Sequence, residues 1–207
     1  DITVNGQTIG NGAGGSQNSG LGVSVLASNS GNYAVAIGYQ ALSVGNTGNY
    51  NTAIGRAALR ANTSGGANTA LGSEALYANT TGDYNTAAGY YALGINTTGS
   101  YNVAVGREAL LGNTTASYNT AVGYRAGYNN TTGYDLVAIG YVAAYNNTTG
   151  TANTAVGRNA LYTNTTGIEN TAVGRAALNA NSTGNYNSAF GKDALGVNST
   201  GSSNTAV

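Results

Sequence analysis

One apolar pattern returns every seventeen residues, and this period limits the possible folds more than any other feature of the chain. It is cleanest in residues 153–167, NTAVGRNALYTNTTG, where Ile168 and Glu169 complete the unit before Asn170 begins the next copy. A unit of this length is too short to be a domain and too long to be a turn. It is one coil of a stack in which each coil completes the core of its neighbours.

The register is set by the glycine that closes the first apolar stretch: Gly38, Gly55, Gly72, Gly89, Gly106, Gly123, Gly140, Gly157, Gly174 and Gly191. An earlier copy spans 18–31, with its glycine at Gly22, sixteen residues before Gly38 and with a shortened Asn-Ser-Gly loop. The repeat region is therefore 18–207, and residues 1–17, DITVNGQTIGNGAGGSQ, form a leader outside the period. Ile2-Thr3-Val4 followed by Asn5-Gly6 predicts a hairpin or capping strand, which would cover the open edge of the first coil. Gly10 to Gly15 reads as a joint. The last residues begin another Asn-Thr-Ala-Val unit, so the shaft is expected to continue past Val207.

Low-complexity disorder is the plain alternative for a chain with 33 glycines, no proline and one phenylalanine. Disorder gives no reason for Ala and Val, Ile or Leu to keep one phase over ten units. Each unit carries two apolar stretches, Asn-Thr-Ala-Val-Gly and then Ala-Leu. Both are too short for a stable helix, and the β-branched residues favour strand. The expected fold is all-β: a parallel β-roll or β-solenoid of about eleven coils, with two short strands per coil and corners at the marker glycine and at Asn-Thr-Thr-Gly. Ala116 stands where one coil lacks its corner glycine.

Along the first strand side chains alternate, so Thr154 and Val156 share a face and Ala155 takes the other. The expectation is that Leu161 meets the Thr/Val face inside the coil, leaving the alanine column Ala36 to Ala189 for close approach of another backbone. So few large aliphatic side chains per coil leave a lone chain short of burial, which predicts a homo-oligomer, with a trimer as the expected state.

Asparagines form two columns. One contains Asn62, Asn79, Asn96, Asn113, Asn130, Asn147, Asn164, Asn181 and Asn198, and the other includes Asn51, Asn68, Asn85 and Asn102; both are expected to stack as amide ladders. The first column also satisfies the N-x-S/T rule, so these nine asparagines are candidate glycosylation acceptors as well as turn formers. Tyr33, Tyr50, Tyr84, Tyr101, Tyr118 and Tyr186 lie five residues before the marker glycine and predict a broken stripe, either rim packing or a surface on which sugars stack. Thr52, Thr69, Thr86, Thr120, Thr154, Thr171 and Thr205 share another phase, interrupted by Val103, Val137 and Ser188.

The chain contains no histidine and no cysteine, which removes the usual general base, thiol nucleophile and most transition-metal ligands. Glu74, Asp83, Glu108, Asp135, Glu169 and Asp193 are scattered over phases and coils. Glu74, Glu108 and Asp193 share a phase, but the stack spaces them roughly 10 Å and 24 Å apart, too far for a catalytic pair. No enzyme activity, cofactor or metal is expected. Seven basic residues balance seven acidic ones, too sparse for a nucleic-acid track, and no apolar run is long enough for a membrane helix.

NTAVGRNALYTNTTG, NYNTAIGRAALRANTSG and the leader ITVNGQTIGNGAGG resemble the repeat regions of bacteriophage tail-fibre proteins over nearly the whole chain. A related Ser/Asn-x-Ala-x-Gly pattern occurs in the heads of trimeric autotransporter adhesins, left-handed parallel β-rolls that form trimers from shorter repeats. The resemblance implies a trimeric shaft, and an intramolecular chaperone beyond Val207 that is cleaved away after assembly. The expected function is a non-enzymatic extracellular or virion-surface fibre shaft, on the order of 50 Å long. Its main partner is itself, as a trimer or an end-to-end filament. The alternatives are an adhesin that takes a cell-surface glycan and an ice-binding β-solenoid.

Overall fold

The computed structural model describes residues 2–4, 7–10 and 17–207, the first two segments by their backbone alone. Strands β1 (Ile2–Val4) and β2 (Gln7–Gly10) pair antiparallel, Val4 opposite Gln7. β2 then pairs antiparallel with β3 (Ser19–Gly22), the first strand of the repeat region. The expected capping hairpin is thus hydrogen-bonded to the edge of the stack. The Asn5-Gly6 turn and the joint up to Gly15 lie outside the described residues.

From β3 onward every coil adds one parallel strand to a single sheet: β4 (Val35–Ile37), β5 (Thr52–Ile54), β6 (Thr69–Leu71), β7 (Thr86–Ala88) and so on to β13 (Ser188–Phe190) and β14 (Thr205–Ala206). Partners from β4 onward are seventeen residues apart, as in Thr52 with Thr69 and Ala53 with Ala70. The architecture is an all-β parallel solenoid of about eleven coils, with no helix among the described residues.

The second apolar stretch is not a strand, which corrects the expectation of two strands per coil. It is an arc of turns in which left-handed residues alternate with ordinary ones, for example Ala57 at φ +55° and Leu59 at φ +50°. Left-handed backbone costs an L-residue about 1–2 kcal/mol. The alternation aims successive peptide groups along the axis in opposite directions. Ala57 N–H donates back to Tyr39 O at 2.8 Å, and Leu59 N–H donates forward to Ala75 O at 3.0 Å. The arc therefore keeps interstrand-like hydrogen bonds to both neighbours while curving the chain back, which a flat strand would not do.

The interior also differs from expectation. The alanine column Ala36 to Ala189 points inward and is fully buried, opposite arc residues such as Ala58 and Leu59. Thr and Val, Ile or Leu point outward, with Ile54, Val122 and Ile139 each more than a third exposed. The reason is width: a coil of seventeen residues encloses too little space for a leucine and a β-branched row facing each other, and a methyl row opposite leucine fills it.

The marker glycines all have φ between +123° and +140°, a region closed to other residues. A Cβ on Gly55 would also lie 2.4 Å from Gly72 O of the next coil. The loop glycine differs: Gly65 has no left-handed φ, but a Cβ there would sit 2.3 Å from Gly82 O.

Candidate functional surfaces

The first asparagine column is a continuous ladder. Each Nδ2 donates to Oδ1 one coil earlier, as in Asn79 to Asn62 at 2.7 Å, Asn96 to Asn79 at 2.8 Å and Asn164 to Asn147 at 2.7 Å. Its other hydrogen goes to the loop carbonyl three residues on, Asn62 to Gly65 at 2.7 Å. Asn62, Asn79, Asn96, Asn113, Asn130, Asn147, Asn164 and Asn181 are fully buried, and Asn198 is partly buried. In the folded protein these asparagines serve the stack. The nitrogen that would carry the sugar uses both hydrogens inside the stack, where no glycan fits.

The second column works on the backbone. Asn51 Oδ1 accepts from Asn68 N–H at 3.0 Å, and Asn51 Nδ2 donates to Gly65 O at 2.8 Å. The arrangement repeats through Asn102 and from Asn153 to Asn187. These asparagines pair interior loop carbonyls and backbone N–H groups in successive coils, which is a structural role.

The tyrosine stripe faces solvent at a left-handed corner, with φ +61° at Tyr50 and +55° at Tyr84. Its rings stack on one another: Tyr33 on Tyr50 at 4.9 Å, Tyr84 on Tyr101 at 5.0 Å and Tyr101 on Tyr118 at 5.2 Å between centroids. Within these two stacks neighbouring rings cover the inner ring faces, and free faces remain where the ladder is interrupted.

A second aromatic surface was not singled out from the sequence. Past the marker glycine, Tyr124 stacks on Tyr141 at 5.3 Å, and four residues further on Tyr128, Tyr145 and Tyr162 stack at 5.0 and 5.3 Å. Arg125 lies 5.1 Å from the Tyr124 ring centroid and 5.0 Å from that of Tyr128, and Arg158 lies 5.7 Å from that of Tyr141. The signal was available as Tyr and Arg recurring at two fixed phases in three successive coils.

The carboxylates that share a phase do not meet each other but meet cations. Glu74 pairs with Arg56, and Asp193 lies 3.5 Å from Lys192. Glu108 is held between Arg107 at 3.0 Å and Arg125 at 2.5 Å. Burial alone would raise the Glu108 pKa, but the hydrogen bonds and charges of Arg125 and Arg107 outweigh it and hold the carboxyl below its usual range. The same pairing pushes the Arg125 pKa up. Among the described residues no group of three His, Cys, Asp or Glu side chains is placed to hold a metal, and no helix is long and apolar enough to cross a membrane.

The outer face of the sheet is uncharged. It carries two parallel columns, Thr, Val or Ser at the first strand position and Ile, Leu, Val, Ala or Phe at the third, from Val35 to Phe190. Comparisons with protein-family models, curated proteins and solved structures find no match for this chain.

Proposed function

We propose that this chain is the shaft of an extracellular or virion-surface fibre, a homo-oligomer whose copies pack through the outer sheet face. The observation that carries the reading is that uncharged face. Ile37, Ile54, Leu71, Val105, Val122, Ile139 and Phe190 stand 37 to 44% exposed along one line of the outer face, and an apolar strip of this kind supports an interaction surface. A partner for this strip has to match its repeat, about 4.8 Å per coil, over the whole length. A second copy of the chain does so by construction, and closed symmetric assembly is the common outcome for such self-complementary surfaces. Three copies is the state implied by the resemblance to tail fibres and trimeric adhesins.

The test is native mass measurement of the chain and of a Val105→Glu/Ile139→Glu variant. The reading expects a multiple of 20.5 kDa for the unsubstituted protein and a folded monomer for the variant. A stable monomer in both cases would count against it.

One observation favours a second reading, ice binding: the threonine column lies on the outer face, with Thr86 and Thr205 exposed and Thr52, Thr69, Thr120, Thr154 and Thr171 half-buried. Ice-growth inhibition by the purified chain, lost on substituting Thr86 and Thr120, would support that reading over an oligomer seam.

A further inference from the structure

Between Tyr33 and Tyr118 the solvent-facing tyrosine ladder lacks a single rung. Tyr33 and Tyr50 form one stack, Tyr84, Tyr101 and Tyr118 another, and the position between Tyr50 and Tyr84 is Ala67. Tyr50, Ala67 and Tyr84 share the same left-handed backbone, at φ +61°, +54° and +55°, so the corner itself is unchanged and only the ring is missing. The result is a cleft of about 300 Å³ lined by Tyr50, Ala67, Tyr84, Gly66, Ser64 and Asp83, among others. Tyr50 and Tyr84 are 63% and 57% exposed, so both flanking rings are open to solvent.

Two coil spacings separate the flanking rings by about 10 Å. Rings elsewhere in the ladder repeat at 4.9 to 5.2 Å, so the slot is the width of one further aromatic ring stacked on both faces. Its rim has a defined charge. Asp83 Oδ1 accepts the Gly66 N–H at 2.7 Å, which fixes the carboxylate beside the slot, and no cation pairs with Asp83 among the described residues. The wider break after Tyr118, where Asp135, Ala152 and Glu169 follow in phase, provides no second flanking ring and so no slot.

We propose that the Ala67 gap is a binding site for a cationic aromatic group, whose ring takes the place of the missing rung between Tyr50 and Tyr84 while its positive charge sits against Asp83. Stacking supplies the shape preference and the fixed carboxylate the charge preference.

The site is tested on the full chain by NMR titration with tyramine, following the upfield ring-current shift of its aromatic protons. The comparison probes are 4-hydroxyphenylacetate, with the same ring and opposite charge, and 2-cyclohexylethylamine, with the same charge and no aromatic ring. Tyramine is expected to bind at least about tenfold more tightly than either. Ala67→Tyr, which fills the rung with the residue its neighbours carry, is expected to abolish the shift without lowering the melting temperature. Asp83→Asn is expected to bring tyramine and 4-hydroxyphenylacetate to similar affinity. Undetectable tyramine binding, equal binding of the three probes, or binding that survives Ala67→Tyr would each overturn the proposal.

Discussion

Leu136 fills core space that Gly127 leaves open. Gly127 stands where most other coils place a leucine, Ala144 being the other exception, and a Cβ built on it would lie 3.3 Å from Leu136 Cδ2 and 2.9 Å from Leu110 Cδ2. Leu136 itself occupies a position of the second asparagine column and is fully buried, while its N–H still donates to Asn119 Oδ1 at 2.9 Å. Two departures from the repeat, at different phases of neighbouring coils, thus compensate within one core.

This compensation makes a double-substitution experiment informative. Leu136→Asn alone leaves a cavity beside Gly127 and should cost about 2 kcal/mol or more, and Gly127→Leu alone should overpack the same space. The pair together restores the pattern of the other coils. Denaturant melts of the four proteins are expected to give a coupling of about 1–3 kcal/mol in favour of the double variant.

The buried amide ladder should be intolerant of truncation. Asn96 donates to Asn79 Oδ1 at 2.8 Å and Gly99 O at 2.9 Å, and accepts from Asn113 Nδ2 at 2.9 Å. Asn96→Ala leaves Asn79 Oδ1 without its donor and one hydrogen of Asn113 Nδ2 unpaired in the interior, each at about 1–3 kcal/mol, while Gly99 O keeps the Asn85 Nδ2 donor. Thermal unfolding is expected to show a far larger loss than for the same change at the exposed Asn49, and hydrogen exchange should place the damage in the coils on either side.

Ala116 marks a strained joint. The Asn113-Thr114 corner is held more loosely to the next coil than its neighbours: Thr114 N–H to Thr131 O is 3.3 Å, against 2.8 Å for Thr97 to Thr114 and 2.9 Å for Thr131 to Thr148. A methyl group at this corner pushes the following coil away. Ala116→Gly should therefore raise stability, by about 1 kcal/mol, as relief of overpacking. Unchanged or lower stability in a calorimetric melt would contradict that cause.

Glu108 gives the rod an acid-sensitive point. Its folded pKa lies below its unfolded one, so its contribution to stability is complete above the ordinary carboxylate value of about 4.5 and is lost as pH falls through the lowered folded value. The stability difference between the native protein and Glu108→Gln is expected to be constant from neutral pH to about pH 5 and to shrink below it. The measurement is a series of denaturant midpoints for both proteins across that range.

The period and composition of the chain determined a good deal by themselves. A glycine every seventeen residues points to coils in register, and asparagine at two constant phases places identical amides one coil apart, within reach of each other. The capping hairpin was legible in Ile2-Thr3-Val4 and its following turn residues. Alternation along Thr154-Ala155-Val156 also showed that threonine and valine share a face, but it could not say which face is inside.

Tertiary structure decided that, through volume: closing a narrow coil leaves room for alanine opposite leucine and turns Thr and Val outward. It also decided that Ala-Leu forms an arc rather than a second strand. Local propensity disfavours left-handed Ala57 and Leu59, and only hydrogen bonds from the coils on either side outweigh that cost. The burial of Asn62 and its equivalents, the exchange between Gly127 and Leu136, and the missing rung at Ala67 are all relations between coils. A linear pattern marks such positions as phases or as exceptions; the stacking of one coil on the next determines what each does.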